Sequence, residues 1–71
     1  MIYRVSYMVQ GLVQGKKHPG IVRDEEKMPE VGDQIQLGST LCEVVEVAEL
    51  IPPQGDYGFL HATCRVLKEE N

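Results

Sequence analysis

Alternating hydrophobic and polar residues predict a β-strand at the start of the chain. In residues 2–9 the apolar side chains recur two apart, which is the spacing that places them on one face of a strand. The residues on that face are Tyr3, Val5, Tyr7 and Val9. Tyrosine and valine also suit a half-buried pleated surface. We therefore expect this strand to contribute to the core.

Residues typical of turns divide the middle of the chain into short segments. Residues 11–20 contain three glycines and a proline, which predicts a loop or a long hairpin tip. Residues 21–23 are expected to begin a short returning strand, and the polar residues 24–27 to be exposed. A short alternating strand is then predicted over residues 34–37, with a turn on each side of it.

Residues 41–51 fit either a strand or a helix. Thr40 and Glu43 have the spacing of a helix capping box, and Glu43, Glu46 and Glu49 would share one polar helix face. Three valines and the hairpin-length turn before them favour a strand. Neither strand face is purely apolar, so that strand would need a bulge or solvent on both sides. We interpret the segment as a strand that ends at the two prolines, residues 52–53.

Residues 57–67 alternate as a long final strand. The more apolar face carries Gly58, Leu60, Ala62, Cys64 and Val66. The other face carries Tyr57, Phe59, His61, Thr63 and Arg65. The polar tail, residues 68–71, is expected to fray.

Together these elements predict one all-β domain over residues 1–71. A chain of this length buries only about 60% of the surface that it exposes when unfolded, so its stability is marginal. Four to five short strands without a convincing helix predict a small antiparallel barrel or a rolled sheet. The segment from Pro29 to Gly38, with the valine-rich run after it, resembles the turn and hairpin of SH3-like small barrels. It also resembles small bacterial barrel proteins of unassigned function. The resemblance implies an architecture and no activity.

Charge is distributed unevenly along the chain. Residues 1–23 contain four basic side chains and no acidic ones, whereas residues 24–49 contain eight acidic side chains and one lysine. The net charge of −4 argues against nucleic-acid binding, because contacts to phosphates dominate that affinity. The separation of charge favours a protein partner or self-association. No apolar run is long enough for a signal peptide or a membrane span, so we expect a cytoplasmic protein that does not contact a membrane.

Two cysteines and two histidines are the candidates for metal or catalytic chemistry. His18, Cys42, His61 and Cys64 match zinc in number and type. His61 and Cys64 are three apart on a predicted strand and therefore point to opposite faces. We predict no metal, no cofactor and no enzyme activity, with both cysteines buried as small apolar residues. A disulfide between the cysteines would require their strands to be neighbours.

Two loops rich in proline and glycine, residues 16–20 and 52–57, combine a rigid backbone with polar groups, although turn formation alone also explains that composition. The candidate binding residues are Lys16, Lys17, His18, Arg23, Asp56, Tyr57 and His61. We predict a non-catalytic protein-interaction module that binds a protein partner or a second copy. The alternative is a barrel that binds a small molecule or an oligonucleotide through the loop at residues 16–18 and the polar face of the final strand. A minimal metal-dependent enzyme is the third hypothesis.

Overall fold

The computed structural model describes residues 1–69, which form seven β-strands and contain no helix. Five strands make one sheet and the other two make a separate small hairpin. In chain order the strands are β1 (Ile2–Val9), β2 (Leu12–Val13), β3 (Lys16–Lys17), β4 (Ile21–Glu25), β5 (Gln34–Leu37), β6 (Thr40–Gln54) and β7 (Tyr57–Glu69). The all-β prediction is confirmed. The prediction that the tail frays is wrong for residues 68–69, which belong to β7; residues 70–71 lie outside the described part.

The main sheet has the strand order β4-β1-β7-β6-β5. Its central pair, β1 and β7, is parallel, and every other neighbouring pair is antiparallel. The prediction of an antiparallel sheet is therefore wrong for the central pair. Parallel neighbours need a long connection, and here the chain from β2 to β6 supplies it. Within residues 1–69 no ladder joins the edge strands β4 and β5, so a closed barrel is not confirmed.

The core covers one face of this sheet, here called the inner face. Side chains from β1, β5, β6 and β7 meet there: Val5, Tyr7, Val9, Leu37, Cys42, Val44, Leu60, Ala62 and Cys64. Burying a large aliphatic side chain stabilises a fold by roughly 1.5–3 kcal/mol relative to leaving it exposed. The alternation predicted for these two strands places these side chains correctly, because β1 pairs with residues 57–64 of β7 without a register shift.

Strand β6 is continuous and carries the bulge that the sequence requires. Pairing with β7 shifts between Val44 and Glu46, which makes Val45 the extra residue. Val47 is thereby returned to the inner face, opposite Ala62. The interpretation of residues 41–51 as a strand is confirmed.

The two prolines do not end β6, contrary to prediction. The strand continues to Gln54, and its pairing with β7 shifts again between Ile51 and Gln54. Proline has no N–H to donate, so it is tolerated at such irregular positions. Residues 48–59 of β6 and β7, called the arm below, form one end of a molecule that measures 40 × 17 × 17 Å.

Strand β4 begins at Ile21 as predicted, but the exposure expected for residues 24–27 is wrong for Glu25. The pairing of β4 with β1 places Glu25 opposite Tyr3 and Arg23 opposite Val5. Arg23 and Glu25 therefore lie on the inner face, and Glu25 is half-buried there. The alternation pattern alone did not predict the inward position of Glu25, because a charged residue is expected to be exposed on either face of a strand.

Candidate functional sites

The hairpin of β2 and β3, called the basic hairpin below, lies at the end of the molecule opposite the arm, where β1 finishes. Val13 pairs with Lys16, and Leu12 pairs with Lys17. Directly paired residues share a face. Lys16 therefore lies on the face of Val13, which packs against the core, whereas Lys17 lies on the exposed face of Leu12.

A cavity of about 430 Å³ lies between the basic hairpin and the turn that joins β5 to β6. Its apolar wall includes Val13, Ile21 and Leu37, and its basic rim includes Lys16, Lys17 and His18. The structure thus gathers three of the sequence-predicted residues around one concave space.

His18 is held in one tautomer by its own loop. The backbone N–H of Gly20 donates to His18 Nδ1 at 2.9 Å. In the neutral ring the hydrogen therefore lies on Nε2. This half-buried side chain keeps one donor for a ligand.

Arg23 belongs to a polar cluster on the inner face. Its Nε lies 3.2 Å from Glu25 Oε1, and the hydroxyl of Tyr7 donates to the same oxygen at 3.2 Å. Arg23 Nη1 also donates to the carbonyl oxygen of Gln36 at 3.3 Å, so this side chain joins the two edge strands. Burial, and then the charge and hydrogen bond of Glu25, hold the pKa of Tyr7 well above its usual range. The cluster borders a second cavity of about 330 Å³.

An apolar surface lies on the outer face of the sheet, along the arm. Ile2 pairs with Tyr57, and Ile51 pairs with Phe59. The rings of Tyr57 and Phe59 are stacked with their centroids 6.4 Å apart, and the Arg4 guanidinium lies 5.8 Å from the Tyr57 centroid. Ile2, Ile51 and Tyr57 are 39%, 43% and 42% exposed. We call Ile2, Ile51, Tyr57 and Phe59 the arm patch.

Asp56 and His61 have separate positions. Asp56 lies in the turn of the arm, where its carbonyl oxygen accepts a hydrogen bond from the N–H of Ile2 at 2.7 Å. His61 lies on the outer face between Ser6 and Ala48, and Cys64 lies on the inner face, as the strand periodicity predicts. Among residues 1–69, no three histidine, cysteine or acidic side chains are grouped to hold a metal ion.

The two cysteines are not joined by a disulfide and are diagonal to each other in neighbouring strands. Cys42 pairs with Val66, whereas Cys64 pairs with Val44. Diagonal neighbours lie roughly 7–8 Å apart, whereas a disulfide needs Cβ atoms roughly 3.5–4.5 Å apart. Burial raises the pKa of both thiols, and that of Cys64 reaches about 11 with a further contribution from Cys42. Neither thiol is therefore an activated nucleophile near neutral pH.

The structure divides the sequence-predicted binding residues among separate places. Lys16, Lys17 and His18 lie at one end, and Asp56 and Tyr57 lie at the other. Arg23 and His61 lie between the ends, on opposite faces. Sequence reasoning missed the rest of the arm patch, although the alternation of β7 already placed Tyr57 and Phe59 together. It had no signal for Ile2 or Ile51, because only the strand register brings them there.

Comparison of the chain with protein-family models, with curated proteins and with solved structures gives no match. Across the described residues, none of the secondary structure is a helix able to span a bilayer. Function is therefore inferred from the geometry of the arm patch and the two cavities.

Proposed function

We propose that this protein is a non-catalytic interaction module that self-associates through the arm patch. The observation that supports the proposal is an apolar surface on which the exposed side chains of Ile2, Ile51 and Tyr57 adjoin the partly buried ring of Phe59. Aromatic residues and arginine are enriched in protein interfaces, and Arg4 lies against Tyr57 at the margin of this surface. Single exposed apolar residues are common on proteins, whereas contiguous ones mark interaction sites.

The edge of the arm supports pairing with a second copy. Strand β5 pairs with β6 only as far as Glu43, and Val44 bonds to the loop residues Gly32 and Asp33. From Glu46 onward, that edge of β6 has no neighbouring strand within residues 1–69. An unpaired edge is a template for another strand, and two copies of one strand pair antiparallel about a two-fold axis. The prolines limit how far such pairing extends.

The acidic residues in the unpaired part of β6 predict how self-association depends on salt concentration. β6 presents Glu46 and Glu49 in its unpaired part, so a symmetric pairing brings like charges together. Added salt screens that repulsion. We therefore expect self-association to strengthen with salt, whereas an association between the basic hairpin of one copy and the acidic segment of another would weaken.

The test replaces one exposed aliphatic residue at each end of the molecule. Light scattering coupled to size exclusion should show a dimer whose population grows between about 1 µM and 1 mM, a range corresponding to binding free energies of roughly −8 to −4 kcal/mol. Ile51→Ser should shift this equilibrium towards monomer. Leu12→Ser, which changes an exposed side chain of β2, is the matched control and should leave the equilibrium unchanged. A monomer at every concentration and salt level would disprove self-association.

A further inference from the structure

The cavity beside the basic hairpin has the size and wall of a ligand site. Its volume of about 430 Å³ falls within the roughly 300–1,000 Å³ typical of small-molecule pockets. Leu37 is fully buried, and Val13 and Ile21 pack against the core, so the wall is continuous with the core. A planar apolar group of one or two rings fits such a wall.

The rim of the cavity is basic. Lys16, Lys17 and His18 border it, and no acidic side chain of the described chain does. Lys16 lies on the cavity side of the hairpin, and its ammonium group has three hydrogens to donate. His18 adds the N–H of Nε2, because its Nδ1 already accepts from Gly20. These donors suit an anionic head group.

We infer that this cavity binds a small organic anion, namely a carboxylate, sulfonate or phosphate carried on an apolar body. The body lies against Val13, Ile21 and Leu37, and the head group is bound by Lys16 and His18. Lys17 also borders the cavity, but it shares the exposed face of Leu12 and therefore adds positive charge at the rim. The site lies at the end of the molecule opposite the arm patch, so it is independent of the proposed self-association.

A small anion suits this surface better than a nucleic-acid strand does. Single-stranded nucleic acids are bound along basic grooves in which bases stack on aromatic rings. The rings of Tyr57 and Phe59 lie at the other end of the molecule, and none of the residues that border the cavity is aromatic. The net charge of −4 also opposes a long polyanion.

The experiment is a fluorescence titration with 1-anilinonaphthalene-8-sulfonate, which carries one sulfonate on an aromatic body. We expect one probe to bind per chain. Lys16→Gln should weaken binding about tenfold, the effect of losing one charge-assisted hydrogen bond. Lys27→Gln removes the same charge from an exposed residue outside the lining of this cavity and should weaken binding by less than about twofold, the effect of a solvent-screened charge. N-phenyl-1-naphthylamine, the same body without the sulfonate, should bind far more weakly.

Two controls make the outcome decisive. Ile51→Ser should leave probe binding unchanged, whereas loss of binding in this variant would place the probe on the arm patch and overturn the inference. Equal effects of Lys16→Gln and Lys27→Gln would also overturn it, because they would reduce the site to general attraction by charge. Competition by naphthoate and by naphthyl phosphate then identifies the preferred head group. Displacement by a single-stranded oligonucleotide but by neither of these anions would disprove the small-anion assignment.

Discussion

Gly20 lies where the chain turns into β4, and two separate constraints act on it. Its φ is +77°, and a Cβ atom built there would lie 2.6 Å from the carbonyl oxygen of Tyr7. Gly11 has the same φ of +77° but open space around it. Comparing substitutions at Gly20 and Gly11 therefore separates the free-energy cost of a left-handed backbone from the free-energy cost of a steric clash with β1.

We expect Gly20→Ala to lower the free energy of unfolding by about 2–4 kcal/mol, because the clash with backbone adds to the conformational cost. Gly11→Ala should lower it by only about 1 kcal/mol, the conformational cost alone. Urea unfolding followed by circular dichroism measures both values. Equal losses in the two variants would show that the chain near Tyr7 relaxes at little cost.

The thiol of Cys64 makes stability depend on alkaline pH. Its pKa of about 11 in the folded protein exceeds the ordinary 9.0, so the folded state holds the proton more tightly. The contribution is complete below pH 9, and it is lost as pH rises to about 11 because the unfolded chain ionises first. The slope is at most about 1.4 kcal/mol per pH unit.

Comparison of the natural chain with Cys64→Ala tests this dependence. The variant is expected to be less stable at pH 8, because a buried side chain is shortened, but its stability should fall less steeply between pH 9 and pH 11. Tyr7 has a raised pKa and is present in both proteins, with Cys64 only the smallest cause of that shift, so the difference in slope reports mainly on the thiol. Parallel curves for the two proteins would contradict the raised pKa.

At the scale of the element, β4 shows how one edge strand carries charge on both faces. Glu25 faces inward, accepts a hydrogen bond from the hydroxyl of Tyr7 and forms an ion pair with Arg23. Asp24 faces outward and pairs with Arg4 at 2.9 Å, with both side chains about half exposed. The hydrogen bond and charge of Arg4 lower the pKa of Asp24, but solvent weakens such pairs. The two acidic residues are adjacent in sequence and differ mainly in burial.

We expect Glu25→Ala to destabilise the protein by about 1–3 kcal/mol, because it leaves the Tyr7 hydroxyl without its acceptor and Arg23 without its counter-ion. Asp24→Ala should cost less than about 1 kcal/mol, as is usual for an exposed ion pair. Thermal unfolding of the two variants measures the difference. Adding Tyr7→Phe to Glu25→Ala should recover part of the loss, because no hydroxyl then needs an acceptor, and a double variant with the full loss would contradict this explanation.

The alternation of apolar and polar residues predicted the regular strands. It did not predict the bulge position in β6 or which strands are neighbours in the sheet. β1, β5 and most of β7 follow the period of two because one face packs against the core. β6 breaks that period at Val45, since a bulge moves the later side chains to the other face. The parallel pairing of β1 with β7 leaves no trace in either strand's own pattern, because alternation determines faces and not neighbours.

The same limit applies to the candidate sites. Lys16, Lys17 and His18 were identified because they are adjacent in one basic loop. The cavity beside them is formed with Leu37 and the turn after β5, which are distant in sequence. Ile51 was likewise identifiable only after the register placed it beside Phe59. Local composition therefore located the polar groups, whereas the apolar walls required the tertiary fold.

At the scale of the whole molecule, the last strand holds the sheet together. β7 lies at the centre and pairs with β1 on one side and β6 on the other. Without it the chain retains two separate two-stranded pairs, β4 with β1 and β5 with β6. Isolated strand pairs of this kind are marginally stable at best in water, so folding has to await the C-terminal strand.

A split of the chain between residues 55 and 56, in the turn of the arm, tests this dependence. Fragment 1–55 alone is expected to give the circular dichroism of an unfolded chain, because β1 at Val5 and β6 at Val44 both lose β7, the strand with which they pair. Adding a peptide of residues 56–71 should restore the strand signal at a one-to-one ratio, since every pairing of β7 is intermolecular in that complex.

The control replaces residues 12–17 of the full chain by a short glycine linker. That variant should stay folded, because the basic hairpin pairs with none of the five strands of the sheet. Strand signal in fragment 1–55 alone would show that the four remaining strands hold together without their centre, and the strand order would then have to be revised.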